Sequence, residues 1–375
     1  MAERLRKMIR PGLEDKVYPV TKIAKIVDLL GEEGVPADLA LESVRITKAE
    51  LASFASRVSV SQVIACCRNA LRLSRDPNFA YHAGLQFHVS TYGMYGFAML
   101  SSTNFRQTIR FAVAHHQLAA PLVSIDFSEK DDVARLVATP IAHPLIDNSL
   151  YRCIVELQFG VFLSICRDIM GGQFAAKAIH LTYDPPDPAS AYASPFECDV
   201  LYRQPKNAFV FDASWLDQRP RLGDRVVYQE LVKLCDAMLA QLEIDLGVSG
   251  MVRQFLLENI MQDTRFELAA SQLNMSQRTL RRRLHDEHTS FRKLEDELKM
   301  ELAIKYLRET NLPAEDIASI LRFHDEGAFR RAFRRWTQAA PHRFRNVRRS
   351  VRTSPGPSRR KPVLRPVRPR RRGPA

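Results

Sequence analysis

Two clusters of arginine in the last third of the chain have the spacing of side chains that share one face of a helix. In MSQRTLRRRL, arginines at 278, 281 and 282 lie three and four positions apart, and in DEGAFRRAF a second pair follows an acidic residue and a glycine. A guanidinium group donates two parallel hydrogen bonds to guanine O6 and N7, worth roughly 1–3 kcal/mol of base discrimination. The residues predicted to contact DNA bases are Arg278, Arg281, Arg282, Glu326, Gly327, Arg330 and Arg331.

The residues around the first cluster predict two short helices joined by a turn. The first helix is expected to end near Leu273, with Asn274 in the turn and Ser276 as the N-cap of the second helix. Leu280 and Leu284 lie four residues apart and are expected to face the core. This arrangement turns the arginines outward.

A second stretch repeats the first, which indicates an internal duplication. In FELAASQLNMSQRTLRRRL and EDIASILRFHDEGAFRRAF, the small residues Ala269 and Ala318 allow close packing of helices. Asp325 corresponds to the first cap, and Phe329 and Phe333 correspond to the first apolar pair. Because cap, apolar pair and small residue recur together, we predict two helix-turn-helix units.

Other polar and cationic side chains stand at the ends of the two predicted recognition helices. Such groups commonly bind phosphates, which position a protein on DNA without specifying its sequence. The residues predicted to contact phosphates are Ser276, Gln277, Thr279, Arg334, Arg335, His342, Arg343 and Arg345.

One helical segment separates the two units. SFRKLEDELKMELAIKYLRET, residues 290–310, has the pattern of a helix of about 20 residues, which spans roughly 30 Å. Successive major-groove faces of B-DNA lie roughly 34 Å apart. We therefore expect double-stranded DNA as a partner, with both units on the same side of the duplex.

The net charge of +13 is concentrated near the end of the chain. Residues 346–375 contain ten arginines, one lysine, six prolines and no acidic residue. A segment of this composition cannot bury a core, so we predict a disordered tail. The tail either aids non-specific DNA binding or is an incidental extension. The first 250 residues are near neutral, which places the nucleic-acid surface in the last third.

The N-terminal part predicts a mixed α/β fold, since apolar residues at helical spacing alternate with strand-like stretches such as SIDFS, ARLVATPI and NAFVF. The aromatic, glycine-containing stretch 87–99 is predicted as a strand or tight turn. A helix from about 226 to 246, followed by GVSG at 247–250, is predicted as the connector to the last domain. The predicted domains are an α/β regulatory domain, an all-α domain with two helix-turn-helix units joined by a long helix, and the tail: 1–245, 246–345 and 346–375.

The sequence lacks the usual signatures of catalysis, metal binding and membrane insertion. Without HExxH, GxSxG or P-loop motifs in credible context, we expect no enzyme, no catalytic residue and no cofactor. Six cysteines without a CxxC pair predict neither a metal site nor disulfides and favour the cytoplasm. Cys66 and Cys67 are interpreted as buried hydrophobic residues, with redox sensing as the alternative. The chain shows no signal-peptide core and no membrane-spanning apolar run, so no membrane partner is expected.

Residues from about 255 to 345 resemble the C-terminal domain of AraC/XylS-type transcriptional regulators. The similarity is carried by MSQRTLRRRL, ELAIKYLRETNLPAEDIA and AFRRAFRRWTQAAPHRFR. It implies that each unit inserts its second helix into the major groove of promoter DNA, and that RNA polymerase is a protein partner. The family pattern usually has glycine in the second turn, where this chain has Arg322. A non-glycine residue at positive φ costs roughly 1 kcal/mol.

Three stretches between Asp76 and Asp212 resemble the effector-binding domain of the ornithine- and arginine-utilisation subgroup of that family. They are DPNFAYHAGLQFH, YGFAMLSSTNFRQTIRFAVAHH and FECDVLYRQPKNAFVFD. The similarity implies a small-molecule effector, an amino acid or a related metabolite, whose binding residues are unknown. A homodimer is kept as an open alternative.

Two alternatives to a metabolite-responsive regulator stay open. A constitutive DNA-binding protein would use its N-terminal domain for assembly only. A methyl-accepting DNA-repair regulator shares the C-terminal domain but needs a zinc-held cysteine cluster, which the cysteine spacing here does not supply.

Overall fold

The computed structural model describes residues 11–53, 55–119, 121–185, 195–245, 247–260 and 264–345, so the predicted tail, 346–375, lies outside the described residues. The helices are α1 (Thr21–Glu32), α2 (Ala37–Ala40), α3 (Lys48–Leu51), α4 (Val60–Leu73), α5 (Phe79–Leu85), α6 (Gly93–Ser101), α7 (Phe105–His115), α8 (Asn148–Met170), α9 (Arg225–Asp245), α10 (Gly247–Asn259), α11 (Phe266–Gln272), α12 (Gln277–Asp286), α13 (Phe291–Glu309), α14 (Ala314–Ile320) and α15 (Glu326–Thr337). The strands are β1 (Tyr18–Pro19), β2 (Arg57–Val58), β3 (Val123–Lys130), β4 (Val133–Pro140), β5 (Ala178–His180), β6 (Asp199–Leu201) and β7 (Ala208–Asp212). Short 3₁₀ helices cover Val89–Tyr92, His116–Leu118, Ala213–Asp217 and Pro341–Phe344.

A five-stranded sheet forms one layer of the N-terminal part, with the strand order β3-β4-β7-β5-β6. The pairs β3/β4, β4/β7 and β7/β5 are antiparallel, and β5/β6 is parallel. Leu136 of β4 pairs with Phe127 of β3 and with Phe209 of β7. Phe209 and Phe211 belong to the main core, whereas Val210, between them, lies in a small cluster on the other face. This strand alternation confirms the predicted mixed α/β fold.

Helix α8 is buried along most of its length and packs against α5 at two glycines. A Cβ atom on Gly84 would lie 2.2 Å from the carbonyl oxygen of Leu157, and one on Gly160 would lie 2.4 Å from that of Tyr81. No side chain larger than hydrogen fits between two backbones at this distance. The close contact fixes the position of α8 beneath the sheet.

The prediction of a strand or tight turn for residues 87–99 was wrong. The stretch forms a 3₁₀ helix, Val89–Tyr92, followed directly by α6. Gly93 joins the two with a φ of 53°, and a Cβ on Gly96 would lie only 1.9 Å from the Val89 carbonyl oxygen. Aromatic residues favour strands because they pack well on a half-buried surface, and a buried helix provides the same kind of surface.

The predicted connector, a helix from about 226 to 246 followed by GVSG, corresponds to α9, and residues 247–250 form the first turn of α10. The Glu287 carboxylate accepts hydrogen bonds from the backbone amides of Val248 and Ser249, both at 2.7 Å. An acidic side chain is favourable at a helix N-terminus, where amides lack intrahelical partners. The domain boundary at 245/246 stays a prediction.

Helices α10 to α15 form two small cores that share α13. The first core contains Leu280 and Leu284 with Leu294 of α13. The second contains Phe329 and Phe333 with Met300, Ala303, Ile304 and Leu307 of α13. A single helix therefore supports both halves of the C-terminal part.

Arg308, near the end of α13, contacts the N-terminal part. Its guanidinium group donates a hydrogen bond to the carbonyl oxygen of Ile146 and lies 5.5 Å from the Tyr151 ring. It also lies 5.8 Å from the ring of Phe344, at the end of the C-terminal part. Burial lowers the pKa of Arg308, but a guanidinium stays protonated in proteins. The residue joins the loop before α8 to both α13 and the last 3₁₀ helix.

Candidate nucleic-acid interface

The first helix-turn-helix unit consists of α11 and α12 and has the predicted caps and core. The Ser276 hydroxyl accepts a hydrogen bond from the Thr279 amide at 3.1 Å. Leu280 and Leu284 are fully buried. Asn274 has a φ of 52°, a left-handed conformation that asparagine adopts at low cost. The turn places the exposed face of α12 away from the core.

The second unit, α14 and α15, has the same construction. The Asp325 carboxylate accepts a hydrogen bond from the Ala328 amide at 2.6 Å, and Phe329 and Phe333 are fully buried. Arg322 occupies the position of Asn274 and has a φ of 59°. Arg322 therefore adopts the left-handed backbone conformation at the position where the family pattern usually has glycine.

We expect Arg322→Gly to stabilise the second unit by about 1 kcal/mol, because glycine adopts positive φ without a Cβ clash. Chemical denaturation followed by the fluorescence of Trp336, which packs on the second core, would measure the change. Asn274→Gly is the matched control and should have a smaller effect, since asparagine already tolerates this conformation. Equal destabilisation by both substitutions would contradict the argument.

The structure exposes the three predicted base-contacting arginines of the first unit. Arg278, Arg281 and Arg282 are all exposed on α12. The guanidinium group of Arg281 lies 5.3 Å from the Phe266 ring of α11, a cation–π distance. This contact orders one of the three side chains before any DNA is bound.

The predicted base-contacting residues of the second unit are less uniformly exposed. Arg330 and Arg331 are exposed, whereas Glu326 and Gly327 are half-buried. The Glu326 carboxylate accepts hydrogen bonds from Arg330 Nε at 2.9 Å and Nη2 at 2.5 Å. Their i,i+4 spacing could have revealed this ion pair from the sequence. Arg331, by contrast, has no ion pair with any residue that the structure describes.

The predicted phosphate-contacting residues lie around the ends of α12 and α15 and in the last 3₁₀ helix. Arg335 Nη2 donates to the Asp296 carboxylate at 3.2 Å, and Arg345 Nη2 donates to the Leu312 carbonyl oxygen at 2.5 Å. Arg345 and Thr279 are half-buried. The exposed members are Ser276, Gln277, Arg334, Arg335, His342 and Arg343.

The two halves of the chain match two protein-family models. Residues 34–220 match the arabinose-binding domain of AraC transcription regulator, N-term, and residues 269–347 match a helix-turn-helix domain. The chain belongs to the AraC family of transcriptional regulators. This AraC-family protein is therefore a DNA-binding transcriptional regulator whose N-terminal domain resembles an effector-binding domain, as the sequence predicted.

Known transcriptional regulators are similar to this chain over most of its length. The ornithine utilization regulator of Pseudomonas aeruginosa is 29% identical over 332 residues, which cover 88% of this chain and 97% of that protein. An HTH-type transcriptional regulator of Mycobacterium tuberculosis is 26% identical over 351 residues, covering 87% and 96%. Among solved structures, the transcriptional regulator CdpR from Pseudomonas aeruginosa matches at 22% identity with a TM-score of 0.43, over 80% of this chain and 94% of that chain. The two relatives found by sequence are both named as regulators.

The cysteines of this AraC-family protein are packed as hydrophobic residues. Cys66 and Cys67 are buried in the main core, which confirms their interpretation. Burial raises the pKa of the Cys67 thiol to about 11, so the thiol stays protonated. Within the described ranges, no group of three or more His, Cys, Asp or Glu side chains is placed to hold a metal ion. In the same ranges, no helix has the length and apolar composition to cross a membrane.

Two contacts that organise the regulator join residues far apart in the sequence and were not predicted. Arg308 bonds to Ile146, which is 162 positions away, and no local pattern indicates such a pairing. Glu287 caps α10 from 39 and 38 positions away. The only local sign of this cap in the sequence is that Glu287 is an acidic residue directly after the end of α12.

Proposed function

We propose that this regulator binds two neighbouring major-groove faces of promoter DNA through α12 and α15. One repeated geometry carries the proposal: two exposed, arginine-bearing helices, each placed behind a left-handed turn and each anchored to α13. Helix α13 has 19 residues and spans about 28 Å. This span is comparable with the roughly 34 Å between successive major-groove faces.

The proposed base contacts follow the exposed faces of the two recognition helices. Arg278 and Arg282 suit bidentate contacts with guanine because they project from α12. In the second unit, Arg331 is the stronger candidate, because Arg330 must first give up or share its bond to Glu326. Phosphate contacts are proposed for the polar residues at the ends of α12 and α15 and in the last 3₁₀ helix.

The N-terminal domain is proposed to bind a small metabolite, an amino acid or a related compound, and to alter how the two units sit on DNA. The ornithine utilization regulator, a relative over most of the chain, supports this class of effector. Control requires the effector to bind two conformations with different affinity. Arg308 offers a physical route, since it touches both the loop before α8 and the last 3₁₀ helix. The same proposal includes action in the cytoplasm, contact with RNA polymerase and no enzymatic activity. Homodimer formation is an open alternative.

The proposal is tested by in-vitro selection of bound DNA followed by footprinting with the full chain. We expect a selected motif with two conserved blocks about one helical turn apart, and protection of two neighbouring turns. Protection of a single turn, or a selection without any conserved motif, would overturn it.

We expect Arg282→Ala to relax base preference at one position and Arg335→Ala to weaken binding to all sequences alike, with a salt slope smaller by about 1. Competition assays with the selected site and its single-base variants would measure both effects. Arg72→Ala is the matched control, because Arg72 is also an exposed arginine in an ion pair but lies in the N-terminal domain. A uniform loss for both recognition variants would contradict the division into base and phosphate contacts.

A constitutive DNA-binding protein is the second candidate function. It predicts that no metabolite changes either the melting temperature or the footprint of the full chain. A ligand at 100 times its dissociation constant stabilises a protein by roughly 2.7 kcal/mol, so a thermal-shift screen would separate the two candidates.

A further inference from the structure

An internal cavity lies in the N-terminal domain between the sheet and helices α6, α7 and α8. It measures about 50 Å³. Because a single water needs about 10–15 Å³ of such volume, the cavity has room for about four water-sized groups. Its lining is largely apolar and includes Leu136 of β4, Ile109 of α7 and Phe162 of α8. The shape and chemistry suit a small ligand with an apolar part.

Lys22 carries the only charge among the described residues that line this cavity. It is the second residue of α1 and is only 7% exposed. Its ammonium nitrogen lies 5.7 Å from the centroid of the Phe87 ring. Within the described part of the chain, Lys22 makes neither a hydrogen bond nor an ion pair. A buried ammonium group without an anionic partner is costly.

The Lys22 ammonium remains the dominant form near neutral pH. Burial lowers its pKa to about 8, and that value is still above 7. Lys22, which lines the cavity, is therefore a positively charged residue near neutral pH.

Gln158 of α8 adds a side-chain amide to the same cavity. It is 5% exposed and lines the cavity, and its side chain makes no hydrogen bond to another described residue. The nearest acidic residue along α8, Glu156, does not line the cavity and accepts a hydrogen bond from the Tyr183 hydroxyl at 3.0 Å. The described lining thus includes a lysine and an amide, but no acidic side chain to neutralise the lysine.

We infer that this cavity is the effector site and that the effector is a compact monocarboxylate of about four to six non-hydrogen atoms. The inference rests on the proposal that the N-terminal domain binds a metabolite, and it narrows the class of that metabolite. The carboxylate accepts hydrogen bonds from the Lys22 ammonium and the Gln158 amide, as charge-assisted pairing favours. The alkyl part packs against apolar residues such as Ile109 and Phe162.

The same lining discriminates against an amino acid with a free α-ammonium group. That second cation has no acidic side chain to pair with among the described lining residues, and burying an unpaired charge is costly. A carboxylic acid that lacks the amino group avoids this cost. The inferred effector is therefore a relative of an amino acid rather than the amino acid itself.

Thermal-shift and calorimetric titrations of the full chain test the inference with butyrate, butyramide and 2-aminobutyrate as probes. We expect butyrate to raise the melting temperature and to bind at least tenfold more tightly than either of the other two. Butyramide has nearly the same shape without the charge, and 2-aminobutyrate adds the ammonium group. Equal binding of butyrate and butyramide, or tighter binding of 2-aminobutyrate, would overturn the inference, as would the absence of butyrate binding.

Lys22→Met keeps an unbranched side chain of similar length and removes the charge, so it should abolish the preference for butyrate over butyramide. Lys25→Met, a charge removal at a half-buried position of the same helix, should preserve it. Gln158→Leu should reduce butyrate affinity several-fold. This variant replaces Lys22→Met as the test if Lys22→Met does not fold. Retention of the full preference in Lys22→Met, or unchanged butyrate affinity in Gln158→Leu when that variant stands in, would overturn the assignment.

Footprinting of the same variants without added carboxylate separates this inference from the proposed DNA contact. Lys22→Met is expected to protect the same two turns as the unaltered chain, because Lys22 lies outside both helix-turn-helix units. For the unaltered chain, two protected turns without carboxylate binding would overturn the cavity assignment alone. Carboxylate binding without two protected turns would overturn the DNA proposal alone.

Discussion

Phe333→Ala is expected to remove protection of one of the two neighbouring DNA turns and to leave the other protected. The Phe333 side chain is fully buried, and its ring lies 5.6 Å from that of Phe329 and 5.2 Å from that of Phe344. Truncating a buried phenylalanine to alanine costs about 3–5 kcal/mol. A core as small as that of the second unit cannot absorb such a loss and keep α15 in place. Footprinting with the full chain measures the result.

Leu284→Ala is the reciprocal variant, because Leu284 is the corresponding buried residue of the first core. It should remove the other protected turn, at a cost of about 2–5 kcal/mol in stability. Full protection of both turns by a folded Phe333→Ala protein would mean that α15 does not contact DNA. Loss of the same turn in both variants would contradict the assignment of one turn to each unit.

Gly160→Ala is expected to destabilise the N-terminal domain by about 3 kcal/mol, at the upper end of the usual cost of overpacking. The added Cβ would lie 2.4 Å from the carbonyl oxygen of Tyr81 and 2.9 Å from the Cα of Gly84. Both atoms belong to backbone, so no rotamer change can relieve the clash. Helices α5 and α8 would have to separate, which would also distort the cavity above α8. Urea denaturation of the full chain measures the change.

Gly31→Ala is the matched control for this prediction. Gly31 also lies in a helix, α1, but a Cβ there would meet nothing within 4 Å. Alanine favours a helix interior over glycine by about 0.8–1 kcal/mol, so this variant should be more stable than the unaltered chain. If both substitutions were stabilising, the close approach of α5 and α8 would not exist in solution.

The parts of the interface that follow local rules could be predicted from the sequence. Ser276 and Asp325 cap their helices because each supplies an oxygen at the position that precedes a helical turn. Phe329 and Phe333 are buried because four-residue spacing places them on one face. The left-handed turn at Arg322 could also be anticipated, since the chain must reverse there as it does at Asn274.

The effector domain could not be predicted to the same depth, because its contacts join distant parts of the chain. Lys22 stands beside Ile23 and in phase with Ile26, so its position indicates a buried face. The sequence alone, however, does not reveal whether an acidic side chain lies close to Lys22 in the folded protein. Gln158 comes to the same cavity only through the packing of α8 under the sheet. The stretch 87–99 was mispredicted for a related reason, since burial in a helix and burial in a strand select similar residues.

Helix α13 fixes both the distance between the two proposed recognition surfaces and their relative rotation about its axis. This follows because one continuous helix contributes residues to both small cores. Each residue of a helix advances it by 1.5 Å and rotates it by about 100°. The second surface cannot shift along the duplex without also rotating around it. If both surfaces bind DNA as proposed, we expect operators to keep a constant interval between their two blocks, and one inserted base pair to weaken binding more than a substitution within a block.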